Sequence, residues 1–133
     1  MKFIIHTDGG SRGNPGLAGC GVIVYNPATK QKKEYSKFLG IATNNQAEYE
    51  ALILALEKAK ELKATEIECY SDSQLLVEQL NRRYKVKNPL LGLLFVKVWN
   101  LSQCFKKISF LHISRDKNKE ADNLVNQILD KNS

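Results

Sequence analysis

Cysteine is scarce in this 133-residue chain: Cys20, Cys69 and Cys104 are the only three, and no pair has C-x-x-C spacing. An odd, scattered set argues against a disulfide framework and against a zinc site, and leaves core or half-buried thiols as the expectation. Long apolar runs are also missing. None approaches the length of a membrane span, and the apolar start FII is much too short for a secretory h-region, so the sequence reads as a cytoplasmic protein without membrane attachment. Internal repeats, low-complexity tracts and interdomain linkers are absent. A Walker loop is absent too. TDGGSRGNPG is glycine-rich, but it lacks the Lys and the Ser or Thr of that loop and reads as leading into a strand, which argues against nucleotide binding through this motif. Gly9, Gly10, Gly13 and Gly16 are read instead as tight turns and points of close backbone approach.

What is present fits one ordinary domain over residues 1–133, with 43% hydrophobic residues for its core. Charged residues make up 26%, with a net charge of +6 and a pI near 9.2. That excess suits a polyanionic partner, with a basic solvated surface as the plain alternative.

Periodicity divides the chain into strands and helices. Residues 2–7, KFIIHT, are almost uniformly apolar, as in a central strand covered on both faces. GCGVIVYN and KKEYSKFLG alternate more loosely, like strands nearer an edge, and a turn at Asn26 and Pro27 separates them. Thr43 and Gln46 have capping-box spacing, and an apolar stripe from Ala47 through Leu62 carries a helix to about Lys63, with Glu48 in its first turn. A fourth strand, about Glu66 to Ser71, leads through Asp72 and Ser73 into a second helix carrying Leu76, Val77 and Leu80; this order predicts a right-handed parallel crossover. After the basic connector NRRYKVKNP, the run LLGLLFVKVWNLSQCF is helical in period, with Gly92 weakening its first turn and Trp99 expected in the core. KISFLHI reads as a fifth strand, and an amphipathic helix from about Lys117 to Leu129 follows.

Four acidic residues stand out on this frame: Asp8, Glu48, Asp72 and Asp122, each at a strand end or in the first turn of a helix. Neighbouring strands ending at Asp8 and Asp72 would release two carboxylates at one sheet edge. Carboxylates gathered that way repel unless a cation lies between them. A hard divalent ion with oxygen ligands, magnesium first and manganese as the alternative, would relieve that repulsion and could activate a water against a phosphodiester. A lone Asp or Glu is more simply a solvated charge or a helix cap, but four together outweigh that reading.

With TDGGSRGNPG, TNNQAEYEAL, YSDSQLLVEQL, VKNP and RDKNKEAD in this order, the chain resembles type 1 ribonuclease H nearly end to end. The resemblance implies an α/β ribonuclease H-like fold, a five-stranded mixed sheet in order 3-2-1-4-5 flanked by helices. It also implies hydrolysis of the RNA strand of RNA/DNA hybrids by a monomeric enzyme. By position, Asp8, Glu48, Asp72 and Asp122 match the family's metal-binding carboxylates, with Asp8 placed to bridge two ions. In the family mechanism one ion activates the attacking water and the other stabilises the leaving 3′ oxygen, giving 5′-phosphate and 3′-hydroxyl ends. Asn44, Asn45 and Gln46 match residues that read the 2′ hydroxyl, and Thr43 and Asn88 match a pair that holds a DNA-strand phosphate. Thr43 is equally a helix cap. His112 stands where relatives with a flexible loop place a histidine that assists proton transfer and product release, although FLHI also makes it a strand residue. Arg115 matches an arginine near the scissile phosphate in some relatives, with a surface ion pair as its plain reading. Asn118 could shape the loop before the last helix. The basic helix and loop that many bacterial members insert after the second helix is missing, and Arg82, Arg83, Lys85 and Lys87 keep only part of its charge. A binding module of the same fold that grips hybrids or double-stranded RNA without cutting is the competing class, and four intact carboxylates weigh against it.

Overall fold

In the computed structural model, which describes residues 1–133, the run KFIIHT opens strand β1 (Lys2–Gly13). The strand continues well past that run. Every residue from Ile4 to Gly13 pairs antiparallel with β2 (Gly16–Asn26), so the glycines after Asp8 belong to the strand and the turn shrinks to Asn14 and Pro15. Asp8 therefore sits in mid-strand, not at its end. Ladder hydrogen bonds satisfy the backbone here and override the weak strand preference of glycine.

The turn after Asn26, whose side-chain oxygen accepts from the Ala28 N–H, leads to the exposed edge strand β3 (Gln31–Ala42). Helix α1 (Asn44–Glu61) starts at a reciprocal capping box: Thr43 Oγ1 accepts from the Gln46 N–H, and Gln46 Oε1 accepts from the Thr43 N–H. Glu48 falls one residue beyond the first turn of that helix, since the helix begins at Asn44. Strand β4 (Glu66–Ser71) runs parallel to β1, as the crossover rule predicts, and leads into the short helix α2 (Gln74–Leu80). Helix α3 (Pro89–Ser102) is capped by Asn88 and carries Pro89 at its first position. Gly92 does not unwind it. Strand β5 (Lys107–His112) pairs parallel with β4, a 3₁₀ turn spans Arg115–Asn118, and α4 (Lys119–Lys131) follows. The sheet order is β3-β2-β1-β4-β5.

Helices α1 and α4 cover opposite faces of the sheet. Gly9 abuts Ala47 of α1, whereas Gly21, the partner of Asp8, abuts Ala121 of α4, and successive residues of a strand point to opposite faces. Clamped between them, β2 is buried from Ala18 to Val24, so its environment is that of a central strand and not of one near an edge. The main core joins Ile5 and Val22 of the sheet to Leu52 and Leu56 of α1 and Val98 of α3, each buried side chain contributing about 1.5–3 kcal/mol. Trp99 departs from expectation. It is 42% exposed, with the Arg82 guanidinium 4.0 Å from its ring centroid, because α3 packs only one face against α1. Cys20 and Cys69 are buried, while Cys104, expected in or near the core, is exposed just after α3. No helix is long and apolar enough to cross a membrane.

Candidate active site

The carboxylates meet because two glycines permit it. A Cβ at Gly9 would overlap the Ala47 carbonyl, so only glycine lets α1 settle against β1 with Glu48 next in line; the Gly9 N–H donates to Glu48 Oε1 at 2.5 Å. On the opposite face, a Cβ at Gly21 would overlap the Ala121 carbonyl, and the bare backbone lets α4 deliver Asp122 beside Asp8. The parallel register pairs Thr7 with Ser71, so Asp8, still within β1, and Asp72, the first residue past β4, follow side by side. Asp8, Glu48 and Asp72 each bring a carboxylate oxygen into a group within 4.8 Å of one another. Asp122 stands outside that tight trio but lines the same cavity of about 540 Å³.

Electrostatically the group is crowded. Burial raises the Asp8 carboxyl well above its ordinary range, and Glu48, Asp72 and Asp122 push it further. Glu48 is raised as well, by burial first; the Gly9 N–H opposes that shift, Asp72 adds to it, and hydrogen bonds with Asp8 and the Ser73 hydroxyl moderate it. None of the four forms an ion pair within the chain. The donor set is all oxygen and lacks a compensating cation, which fits a hard divalent ion.

Asn44, Asn45 and Arg115 line the same cavity. Asn44 is fixed by the hairpin between β1 and β2: its Oδ1 accepts from the Ser11 N–H at 2.8 Å, and its own N–H donates to Asn14 Oδ1 at 3.1 Å. Thr43, Gln46 and Asn88 do not line it. All three act at helix starts, Asn88 Oδ1 accepting from the Leu90 and Leu91 N–H groups. His112 ends β5 at the exposed surface, outside the carboxylate cavity.

Sequence reasoning passed over several lining residues. Ser11, Arg12, Ser73 and Asn126 all border the cavity. Ser73 was legible as an N-cap, since its Oγ accepts from the Leu76 N–H, and that cap fixes where Asp72 leaves β4. Arg12 is tied to Asp130 at 2.6 Å, joining the hairpin to the end of α4. Asn118 does more than shape a loop: almost wholly buried, its Nδ2 donates to the Thr7 carbonyl at 2.8 Å and reaches Asp72 Oδ2 at 3.4 Å, bridging β1 and a site carboxylate.

Comparison with known proteins identifies the family to which this fold belongs. A family model described as reverse transcriptase-like matches residues 6–128. The bifunctional protein Rv2228c of Mycobacterium tuberculosis is 44% identical over 131 residues, which is 98% of this chain and 36% of that protein, so the chain spans about a third of that relative's length. The crystal structure of RNase H1 from the halophilic archaeon Halobacterium salinarum NRC-1 superposes with a TM-score of 0.94 at 38% identity, covering 98% of this chain and 99% of that one. LC11-RNase H1, solved in complex with an RNA/DNA hybrid, superposes with a TM-score of 0.91 at 43% identity over 97% of each chain. Near-complete coverage of both chains at 38% and 43% identity, with the family model spanning residues 6–128, means that the chain belongs to the type 1 ribonuclease H family.

Proposed function

We propose that the chain is an endoribonuclease that hydrolyses the RNA strand of RNA/DNA hybrids, leaving 5′-phosphate and 3′-hydroxyl ends. The observation that carries this reading is the convergence of Asp8, Glu48 and Asp72 within 4.8 Å, with Asp122 on the same cavity and no cation paired to any of them. These four would hold magnesium, or manganese in its place. When bound, such ions lower the pKa of a water and offset charge developing on the phosphodiester. The chain's own side chains do the rest. Asn44 Oδ1 is engaged by Ser11 and Gln46 Oε1 by Thr43, so each amide keeps its NH₂ as a donor for a sugar hydroxyl; Asn45 stands between them. Thr43 Oγ1 accepts from the Gln46 N–H and retains its proton, and Asn88 keeps its Nδ2 donors, so both caps remain able to donate to a DNA-strand phosphate. Arg115 borders the carboxylates as a positioning charge for the scissile phosphate, and His112, exposed at the end of β5, would pass a proton to the departing product.

Residues 1–133 act in this reading as one monomeric catalytic unit that supplies all four carboxylates itself. The buried free thiols Cys20 and Cys69 suit a reducing compartment such as the cytoplasm. The deciding assay is a hybrid with a labelled RNA strand in magnesium. Internal cuts in that strand are expected, with single-stranded RNA and duplex DNA left whole, and Asn45→Ala should slow cleavage without altering the melting temperature. Equal cleavage of duplex DNA would overturn the assignment.

A further inference from the structure

Between Gln79 and Arg115 the sequence holds eight of its 20 Lys and Arg residues and none of its 14 Asp and Glu residues. This acid-free segment builds a groove of about 720 Å³ between the connector after α2 and the outer face of α3, lined by Tyr84, Val86, Gly92, Phe95, Val96 and Trp99. The groove shares no residue with the carboxylate cavity. It is open at Gly92, where even an added Cβ would meet nothing within 4 Å. Tyr84, Val96 and Trp99 remain exposed along it, and Leu93 beside it is 70% exposed, a continuous apolar face that the fold leaves uncovered. Cations rim that face. Arg83 is neutralised by a paired contact with Glu78, but Arg82, stacked on Trp99, and Lys85 have no carboxylate partner.

We propose that this groove docks an acidic amphipathic segment of a partner protein, apolar side chains entering beside Gly92 and carboxylates meeting Arg82 and Lys85. Helix-in-groove recognition needs this pairing of an apolar floor with a charged rim, and complementary charge speeds encounter and fixes register. A second copy of this chain is disfavoured, because an isologous contact would set the same cations against one another. Nucleic acid is disfavoured as well: Val96 and Leu93 gain nothing from phosphate, and one face of Trp99 is already taken by Arg82.

Trp99 is the only tryptophan, so its emission reports occupancy directly. The full chain is titrated with a tryptophan-free helical peptide of Glu, Leu and Phe in amphipathic order, with the same residues scrambled, and with a Lys-for-Glu version. Only the first should shift the emission, saturating in roughly the micromolar range. Val96→Glu and Val96→Lys should both weaken binding roughly tenfold or more while keeping wild-type melting and wild-type turnover at saturating hybrid, since both remove an exposed apolar contact from a helix that tolerates either residue. Binding retained by Val96→Lys, or equal binding of the scrambled peptide, would reduce the effect to bulk charge and overturn the proposal. An emission shift with single-stranded DNA that the Val96 variants abolish would assign the groove to nucleic acid and also overturn it. So would the absence of any shift up to about 1 mM peptide.

Discussion

Asp8 and Glu48 are buried among like charges, and each binds its proton more tightly in the folded chain than in the unfolded one. A carboxyl raised in this way contributes stability that is complete below the ordinary carboxylate range and is lost as pH rises through its folded value. In chelator, the melting temperature of the protein should therefore fall as pH climbs from the ordinary carboxylate range through neutrality. Asp72 crowds both groups, so Asp72→Asn should make that fall shallower and leave the metal-free fold at least as stable as wild type. The same substitution should abolish hybrid cleavage and shrink the rise in melting temperature that magnesium gives the wild type, because a ligand stabilises only through the sites it occupies. Paired melts in chelator and in magnesium, run beside the cleavage assay, check all three; wild-type cleavage by Asp72→Asn would remove the metal site from the mechanism. His112 offers an independent test at the same scale. If it serves proton transfer and product departure, His112→Ala lowers turnover about 10²-fold or more while magnesium dependence and cut positions persist. A folded variant with wild-type turnover would leave His112 as a strand terminus only.

Elements were legible in the sequence to the degree that local chemistry decided them. The Thr43–Gln46 box set the start of α1, and β4 ran over the expected residues, Glu66 to Ser71, because its apolar alternation was bounded on both sides. Three features depended on partners that periodicity cannot see. The glycines after Asp8 looked like a turn, yet pairing with β2 kept them in the strand. The apolar content of α3 placed Trp99 in the core, yet α1 covers only one of its faces. The four carboxylates could be chosen from spacing and resemblance, but not the glycines that let α1 and α4 close on them. Those glycines yield a prediction about element packing. Gly9→Ala forces α1 away from β1 and should destabilise the protein by about 1–3 kcal/mol or more, with a larger proportional loss of cleavage as Glu48 moves. Gly10→Ala is the matched control: its Cβ would meet Val125 at an ordinary 3.6 Å, so melting and activity should both stay close to wild type. Equal effects at the two positions would mean that loss of glycine itself, and not helix approach, governs the site.

Across the whole molecule the charge is divided unevenly. The carboxylate edge gathers acids, and the net +6 rests on the segment from the connector to Arg115. A polyanionic substrate approaching an acidic cavity gains its affinity from cations elsewhere on the surface, and those contacts weaken as salt displaces the counterion release that drives them. The short connector between α2 and α3 offers few such cations: Arg83 is already occupied by Glu78, Arg82 and Lys85 rim the apolar groove, and Lys87 alone stands outside it. Hybrid KM should therefore rise steeply between about 50 and 200 mM monovalent salt at fixed magnesium. The turnover number at saturating hybrid should change little, since a bound substrate no longer depends on long-range attraction. Neutralising Lys87, a cation next to the Asn88 cap, should raise KM at low salt and flatten its salt dependence by about one phosphate contact. Steady-state cleavage across a salt series, for wild type and Lys87→Gln, separates the two parameters. A KM insensitive to salt, or a salt effect confined to turnover, would show that Lys87 and the surface cations like it are not what holds the hybrid.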